Sequence, residues 1–220
     1  MHSLPNRPRR PVNGRSAANL AGPSKGVASA MTILETDRLL LRRLSVEDAE
    51  FILELLNQPS FLRYIGDKGV RTIDDARKYI LNGPMDSYER IGFGLYLTEL
   101  KGDGVPIGIC GLLKREVLGD VEIGFAFLPE FWTNGYACES AAAVMAYGKS
   151  AFALNRIVAV VSPDNYASFK VLEKIGLNFE RMIKLSDDSQ EIKLFAWDDH
   201  DRAHGGGHFV GSPARSSSRA

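Results

Sequence analysis

Cysteine is scarce in this sequence, with Cys110 and Cys138 as the two residues of this type among 220. Two cysteines cannot form a disulfide framework, and neither belongs to a CxxC or Cys/His spacing that holds a metal. We therefore expect no metal site, and a reducing compartment, the cytoplasm, is the simplest inference. Cys138 would have a lowered thiol pKa at a helix N-terminus, but no suitably placed histidine is near it in the sequence, so a packing role is favoured.

Long apolar runs and net charge are also missing. No stretch of about 18 apolar residues is present, which excludes a membrane-spanning helix. The 27 basic and 27 acidic residues cancel, yet residues 35–200 alone hold 19 basic and 26 acidic residues, a formal charge of −7. An acidic body is a poor match for a nucleic-acid backbone and a better one for a cationic substrate. We expect neither nucleic acid nor a membrane as a partner.

The N-terminal segment differs in composition from the middle of the chain. Residues 1–30 are rich in Pro, Arg, Gly, Ser and Ala and show no apolar periodicity, which predicts a disordered extension. Their Arg-rich, acid-free character resembles a mitochondrial presequence, but three prolines would break an amphipathic helix. Met31 is equally suitable as the natural start.

Residues 201–220 are similarly rich in Gly and Ser and are predicted to form a disordered tail. His200, His204 and His208 are spaced four apart, as metal ligands on a helix would be. Residues 205–207 are all glycine, however, and exclude a stable helix there. The predicted folded domain therefore covers residues 31–200.

Hydrophobic periodicity predicts one α/β domain between these ends, with the order β-α-α-β-β-β-α-β-α-β-β. The predicted strands cover about residues 38–43, 92–99, 105–114, 120–127, 156–161, 177–185 and 191–197. The first predicted helix begins at the Ser45 cap and stops before Pro59, and the others cover about residues 73–81, 136–152 and 162–176. Residues 57–71 are predicted to be a loop that exposes Phe61 and Tyr64.

The strand at residues 120–127 has two unlike faces, because side chains alternate across a strand. The bulky face consists of Val121, Ile123, Phe125 and Phe127. The opposite face consists of Glu122, Gly124 and Ala126. A ligand could lie flat along this second face, since it carries one carboxylate and almost no other side chain.

A turn with a glycine connects this strand to the long helix at residues 136–152. Gly135 lets the backbone approach a ligand closely, and the first amide groups of the helix have no partner within it. The candidate anion site consists of Asn134, Gly135, Tyr136, Ala137 and Cys138, and it suits a phosphate or pyrophosphate. The alternative is that Asn134 and Gly135 form only a turn that leads into a buried helix.

The order of elements, the strand-turn-Gly-helix stretch and a second motif resemble the GCN5-related N-acetyltransferase (GNAT) superfamily. The second motif is Asn165-Tyr-Ala-Ser168 followed by Val171-Leu-Glu-Lys-Ile-Gly176. The chain is most similar to the branch of ribosomal-protein-alanine N-acetyltransferases, over about residues 32–197. The resemblance implies a mixed central sheet, flanked by helices and splayed between the fourth and fifth predicted strands.

The resemblance also implies acetyl-CoA as cofactor and direct transfer of the acetyl group to an amine in a ternary complex. The family's pyrophosphate loop reads Gln/Arg-x-x-Gly-x-Gly/Ala, and Gly135 and Ala137 match it. Trp132 stands where Gln or Arg is frequent. Asn134 replaces a frequent Lys or Arg, which removes a positive charge beside the phosphates, although backbone amides can still hold a pyrophosphate.

In the family, the pantetheine arm of CoA lies along the end of the strand that matches residues 120–127. The resemblance therefore assigns main-chain hydrogen bonds to this arm from Phe125, Ala126 and Phe127. Asn165 and Ser168 match positions that contact the arm or its sulfur, and they lie one helical turn apart. The alternative is a role in capping of the helix N-terminus, with Ser162 or Asp164 as the cap and Asn165 in support.

Transfer of an acetyl group requires a base that deprotonates the amine, and Glu122 is the candidate because it lies on the small-residue face beside the expected thioester. The alternative is a solvated strand carboxylate. In many family members a Tyr acts as the general acid at the position where this sequence has Leu172. Ser168 is therefore the first candidate for this acid, and Tyr166 and Tyr136 are the next candidates. Transfer can also proceed largely by positioning.

The acceptor implied by the resemblance is an amine: a protein N-terminus, or a small amine such as a polyamine or an aminoglycoside. Phe61 and Tyr64 are candidate acceptor contacts, and the chain is expected to be a monomer or a homodimer. A non-catalytic acyl-CoA-binding sensor is the alternative. A mononucleotide-binding protein would need a Gly-rich turn after an early strand or a Gly-Lys-Ser/Thr phosphate loop, and the sequence has neither.

Overall fold

The computed structural model describes residues 31–187 and 189–199. The predicted disorder at residues 1–30 and 201–220, and the spacing of histidines from His200 onward, lie outside the described residues. The described chain forms one mixed sheet with helices on both faces, as predicted. No helix in the described ranges is long and apolar enough to cross a membrane.

The described residues form eight strands in one sheet. The strands are β1 Thr32–Glu35, β2 Leu39–Arg43, β3 Leu95–Leu100, β4 Pro106–Lys114, β5 Val121–Phe127, β6 Arg156–Val161, β7 Asn178–Ile183 and β8 Ile192–Asp198. Their order in the sheet is β1-β2-β3-β4-β5-β6-β8-β7. Neighbouring strands are antiparallel except for β5 and β6, which are parallel. This parallel pair is connected by the long helix that crosses the sheet.

The α-helices of the described chain are α1 Ala49–Leu56, α2 Pro59–Tyr64, α3 Ile73–Ile80, α4 Asp86–Ile91, α5 Tyr136–Phe152 and α6 Tyr166–Lys174. The prediction of a loop throughout residues 57–71 is wrong, since α2 lies within it. A proline at the first position of α2 is compatible with a helix start, because its missing N–H would be unpaired there. Strand β1 and helix α4 were also not predicted, and both are short, with four and six residues.

Two hydrophobic layers cover the sheet. Helix α5 packs on the face that carries Val121 and Ile123, with Val144 and Met145 in the same cluster. Helices α1, α2 and α3 pack on the other face in a second cluster, and Ala126 lies against that cluster. The alternation predicted for β5 is therefore confirmed, and its small-residue face is turned toward α1–α3.

The prediction that Phe61 is exposed is wrong. Its side chain is buried in the cluster beneath α1 and α3, whereas Tyr64, at the end of α2, is half-buried. The reason is the helical conformation of residues 59–64, which turns Phe61 inward beside Leu55 and Leu56. Phe61 is thus a core residue.

Candidate active site

A gap opens between β5 and β6 where their pairing stops. The two strands pair at Val121–Ile157 and at Glu122–Val158, and no further pair follows. Beyond this point β5 stays paired with β4 as far as Phe127, and β6 stays paired with β8. The inner edges of both strands therefore face each other without pairing, which is the predicted splay.

The backbone of β5 presents alternate peptide groups to this gap. The Leu128 N–H donates to the Ile107 carbonyl on the β4 side, 3.0 Å away. Because hydrogen-bonding directions alternate along a strand, the main chain of Ala126 also points toward β4, while Phe125 and Phe127 point toward the gap. The peptide groups of Phe125 and Phe127 are therefore open to a bound arm, whereas that of Ala126 is directed to β4 and its small side chain lies against the α1–α3 cluster.

Trp132 fixes the loop that follows β5. Its indole Nε1 donates to the Phe127 carbonyl at 2.8 Å, although the residue is 43% exposed. The bond satisfies one of the acceptors that face the gap and ties the loop to the end of the strand. Trp132 therefore positions the loop, a contact that the sequence motif alone did not indicate.

The loop from Trp132 to Ala137 has an unusual backbone. Thr133 has φ 65° and Gly135 has φ 83°, and Gly135 is the N-cap of α5. A left-handed conformation at a β-branched residue such as Thr133 is uncommon and is found mainly where a functional site requires it. The Asn134 side chain donates to the Trp132 carbonyl at 3.2 Å. The positive φ angles of Thr133 and Gly135 place the amides of residues 134–138 around the start of α5. The predicted anion site requires this arrangement.

Arg38 reaches this loop from the segment before β2, a contact that no sequence motif indicated. Its Nη1 donates to the Asn134 carbonyl at 3.0 Å, and its guanidinium lies over the Tyr136 ring, 4.6 Å from the ring centroid. Its Nε donates to Glu139 on the first turn of α5 at 2.7 Å. A guanidinium, paired with Glu139, therefore lies beside the loop despite the asparagine at position 134.

Glu122 occupies the last paired position before the gap and is 3% exposed. The interpretation of a solvated strand carboxylate is therefore wrong. Burial raises the pKa of Glu122 to about 7, and the charges of Arg115 and Lys68 oppose this rise. Arg115 Nε lies 2.9 Å from Glu122 Oε2, an ion-pair contact without hydrogen-bond geometry. A carboxyl group in this state can accept or release a proton near neutral pH.

Helix α6 starts at the carboxyl end of β6, next to the start of α5 at the carboxyl end of β5. Asn165 is the N-cap of α6, and its Oδ1 accepts from the Ser168 N–H at 3.2 Å. The N-cap is therefore Asn165 itself and not Ser162 or Asp164, and the helix begins four residues later than predicted. Ser168 is half-buried on the first turn of α6. This turn follows the carboxyl end of β6, which is parallel to β5.

The two tyrosines considered as alternative acids differ in their surroundings. Tyr166 is 68% exposed and contacts the Phe169 ring edge-on, and Tyr136 lies under the Arg38 guanidinium. Leu172, at the position where the family often has Tyr, is 1% exposed within the core. Cys138 is half-buried on α5 with a free thiol.

A cavity of about 360 Å³ lies on the same face of the sheet as Glu122, and the sequence did not predict it. It is lined by Val117, Leu118, Asp120, Val158, Arg181, Met182, Ile183, Lys184 and Leu194. Val158 is the register partner of Glu122, and side chains that are directly opposite in a sheet share a face. The cavity therefore lies on the Glu122 side of the sheet and includes the residue paired with Glu122.

Tyr64 lies near a contact between α2 and the loop before α6. Arg63 lies over the Tyr64 ring at 5.1 Å from the centroid, and its Nη2 is 2.7 Å from the Asp164 Oδ2. Both partners of this ion pair are exposed. The predicted acceptor contact thus lies beside a bridge between two parts of the molecule that are distant in sequence.

Comparisons with known proteins identify the family of the chain. Residues 38–178 match the acetyltransferase (GNAT) domain family. The chain is 36% identical to Uncharacterized N-acetyltransferase YoaA of Bacillus subtilis over 154 residues. This alignment covers 69% of this chain and 86% of YoaA. It is 30% identical to Uncharacterized N-acetyltransferase YnaD of the same species over 151 residues. This alignment covers 69% of this chain and 85% of YnaD.

Solved structures share the fold. An acetyltransferase of the GNAT family from Bacillus anthracis has a TM-score of 0.64 and 26% identity, over 77% of this chain and 99% of that chain. RimL, a ribosomal L7/L12 alpha-N-protein acetyltransferase whose structure contains coenzyme A, has a TM-score of 0.67 and 19% identity, over 77% of this chain and 99% of RimL. At this identity the likeness to RimL concerns the fold alone.

Proposed function

The chain belongs to the GNAT acetyltransferase family, and we propose that it transfers an acetyl group from acetyl-CoA directly to an amine in a ternary complex. The observation that carries the proposal is Glu122, a buried carboxyl group with a pKa near 7 at the point where β5 and β6 separate. A base of this strength at the mouth of a gap between strands suits deprotonation of an ammonium group at neutral pH.

The residues around the gap fit coenzyme A. Backbone amides of residues 134–138 would hold the pyrophosphate, since the left-handed Thr133 and Gly135 turn the loop ahead of the helix N-terminus. The peptide group of Phe125 would bind the pantetheine arm along the open edge of β5. When bound, acetyl-CoA supplies the acetyl group as a thioester, which is an activated acyl donor.

Glu122 acts as the general base in this proposal. The acceptor arrives as an ammonium ion, and its proton passes to the Glu122 carboxylate, which leaves the neutral amine as nucleophile. Arg115 stabilises the ionised form of Glu122, so that the carboxyl group is still a competent base despite its burial. Main-chain N–H groups on the open edge of β5 position the reacting carbonyl group.

Ser168 remains the proposed acid. Its hydroxyl belongs to the first turn of α6, which begins where β6 ends, and Asn165 fixes this turn through the cap. Neither tyrosine is a better candidate, because one is largely exposed and the other lies under Arg38. A hydroxyl group here would give its proton to the sulfur as the C–S bond breaks and would take the remaining proton of the amine nitrogen, so that coenzyme A leaves as the thiol and the serine is restored.

The acceptor is proposed to enter over the cavity beside Glu122. Apolar side chains such as Leu118 and Leu194 would pack against the carbon chain of a peptide N-terminus or a small amine. Tyr64 lies on the α2 side and is the proposed acceptor contact, whereas Phe61 is not, since it is buried. A cytoplasmic location and a monomeric or homodimeric state are part of the proposal.

Thiol release from acetyl-CoA by the purified full chain tests this function. The amine panel would contain peptides that begin with Ala or Ser, spermidine and an aminoglycoside. Release that depends on one panel member supports the transferase and identifies its acceptor class. Tight acetyl-CoA binding without release for any amine would instead support the acyl-CoA sensor.

A further inference from the structure

The loop at the start of α5 is held by one arginine from a distant part of the chain. Arg38 Nη1 donates to the Asn134 carbonyl, and a Cβ atom placed on Gly135 would lie 3.4 Å from Arg38 Nη2. The guanidinium also covers the Tyr136 ring. Arg38 therefore contacts Asn134 and Tyr136 and lies close to Gly135 between them, in the loop that is proposed to hold the pyrophosphate.

The same guanidinium neutralises an acidic side chain in the first turn of α5. Glu139 Oε2 lies 2.6 Å from Arg38 Nη2, and Glu139 Oε1 accepts from Thr36 Oγ1 at 2.6 Å. Burial alone would raise the pKa of Glu139, but hydrogen bonds from Thr36 and Arg38 give a net lowering. An ionised carboxylate near a phosphate site repels the ligand unless a cation compensates it.

Arg38 keeps donors free for a ligand. Each terminal nitrogen of a guanidinium carries two N–H groups, and one contact is formed by Nη1 and one by Nη2. Among the described residues a second N–H on each nitrogen is left without a partner. The Arg38 side chain is 48% exposed, so these groups are accessible from solvent.

We propose that Arg38 is a phosphate-binding residue that supplies, from another part of the sequence, guanidinium N–H donors at a loop where Asn134 carries no charge. Its free N–H groups donate to the pyrophosphate of coenzyme A, while its contacts with Glu139 and Asn134 hold it at the loop. Arginine suits this role because its planar fork matches phosphate oxygens. This inference rests on the proposed function, since it requires the loop to bind coenzyme A.

Coenzyme A titration of the full chain, with Arg38→Ala as the variant, tests the inference. We expect the dissociation constant for coenzyme A to rise roughly 10- to 100-fold, as for the loss of hydrogen bonds to a charged group. The kcat/KM with S-acetylpantetheine, which lacks the phosphates, should not change. The matched control is Arg90→Ala, which removes another exposed, ion-paired arginine on α4. It should bind coenzyme A as the wild type does.

The double variant Arg38→Ala/Glu139→Gln separates phosphate binding from simple neutralisation of Glu139. Affinity that stays low in the double variant supports a direct phosphate contact, and affinity that returns to the wild-type value contradicts it. Equal losses with acetyl-CoA and S-acetylpantetheine would also contradict it, because they would place the defect at the thioester end. If Arg38→Ala does not fold, Arg38→Lys serves instead, with a smaller loss of coenzyme A affinity expected and wild-type affinity as the contradicting result.

Failure of the inference can be told apart from failure of the proposed function. A wild-type chain that binds no coenzyme A contradicts the function itself. A wild-type chain that binds coenzyme A and an Arg38→Ala variant that binds it equally well contradict the role of Arg38 alone.

Discussion

Arg115 Nε lies 2.9 Å from Oε2 of Glu122, and the Glu122 side chain is only 4% exposed whereas that of Arg115 is 37% exposed. One partner of this pair is therefore in contact with solvent, while the other is a buried carboxyl group. Burial raises the pKa of Glu122, and the Arg115 charge opposes the rise, so that the balance lies at about 7. The proposed base owes its strength to these two opposed effects.

Glu122→Gln should lower kcat for acetyl transfer by about 10²- to 10⁴-fold, because glutamine cannot accept the ammonium proton. Coenzyme A affinity should stay close to the wild-type value, since Glu122 faces the α1–α3 side rather than the phosphate loop. Steady-state thiol release and a coenzyme A titration measure the two quantities. A folded Glu122→Gln variant with the wild-type kcat would contradict the role of Glu122 as general base.

Wild-type stability should depend on pH through Glu122. Between pH 4.5 and about 7 the folded chain keeps a proton on this group that the unfolded chain has released, so the free energy of unfolding falls as pH rises through this window. The effect amounts to roughly 3 kcal/mol at most. Urea denaturation at pH 5 and pH 8 should show that the free energy of unfolding of Glu122→Gln, relative to that of the wild type, is higher at pH 8 than at pH 5. An equal difference at both pH values would mean that the carboxyl group is not buried as described.

Arg115→Ala should raise the pKa of Glu122 further, because it removes the nearest positive charge. The rise of kcat/KM with pH should then shift to higher pH, while the rate at alkaline pH changes less. Arg77→Ala, which removes an exposed arginine paired with Asp74 on α3, is the matched control and should leave the profile in place. A lower rate with an unshifted profile would show that Arg115 has a structural role only.

Gly135→Ala should weaken coenzyme A binding and destabilise the fold by about 1–2 kcal/mol, since a left-handed φ of 83° is unfavourable for alanine. Gly83→Ala is the control, because a Cβ at Gly83 would meet nothing within 4 Å and its φ is ordinary. Thermal unfolding and coenzyme A titration of both variants test the comparison. Equal effects of the two substitutions would argue against a special loop conformation.

The central elements of the fold could be predicted from the sequence because their signals are local and long. The alternation along β5 placed Glu122 on the small-residue face, and Gly135 marked the start of α5. Short elements such as β1 and α4 carry too few residues for a periodic signal. Phe61 was misplaced because a proline-led helical turn in α2 was interpreted as a loop.

The charges of the site could not be predicted, because they depend on packing between distant segments. Nothing near Arg38 in the sequence indicates that it contacts Asn134, and the charge of Lys68 acts on Glu122 from a segment more than fifty residues earlier. The alternative roles of Asn165 could be stated from the sequence, but only the structure showed that its side chain caps α6.

The crystal structure of the full chain with coenzyme A tests the account most directly. We expect the pyrophosphate against the amides of residues 134–138 beside Arg38, and the pantetheine arm along the open edge of β5 with its sulfur toward Glu122. Coenzyme A bound elsewhere, or a gap between β5 and β6 that closes by further pairing and excludes the arm, would contradict the proposed acetyltransferase site.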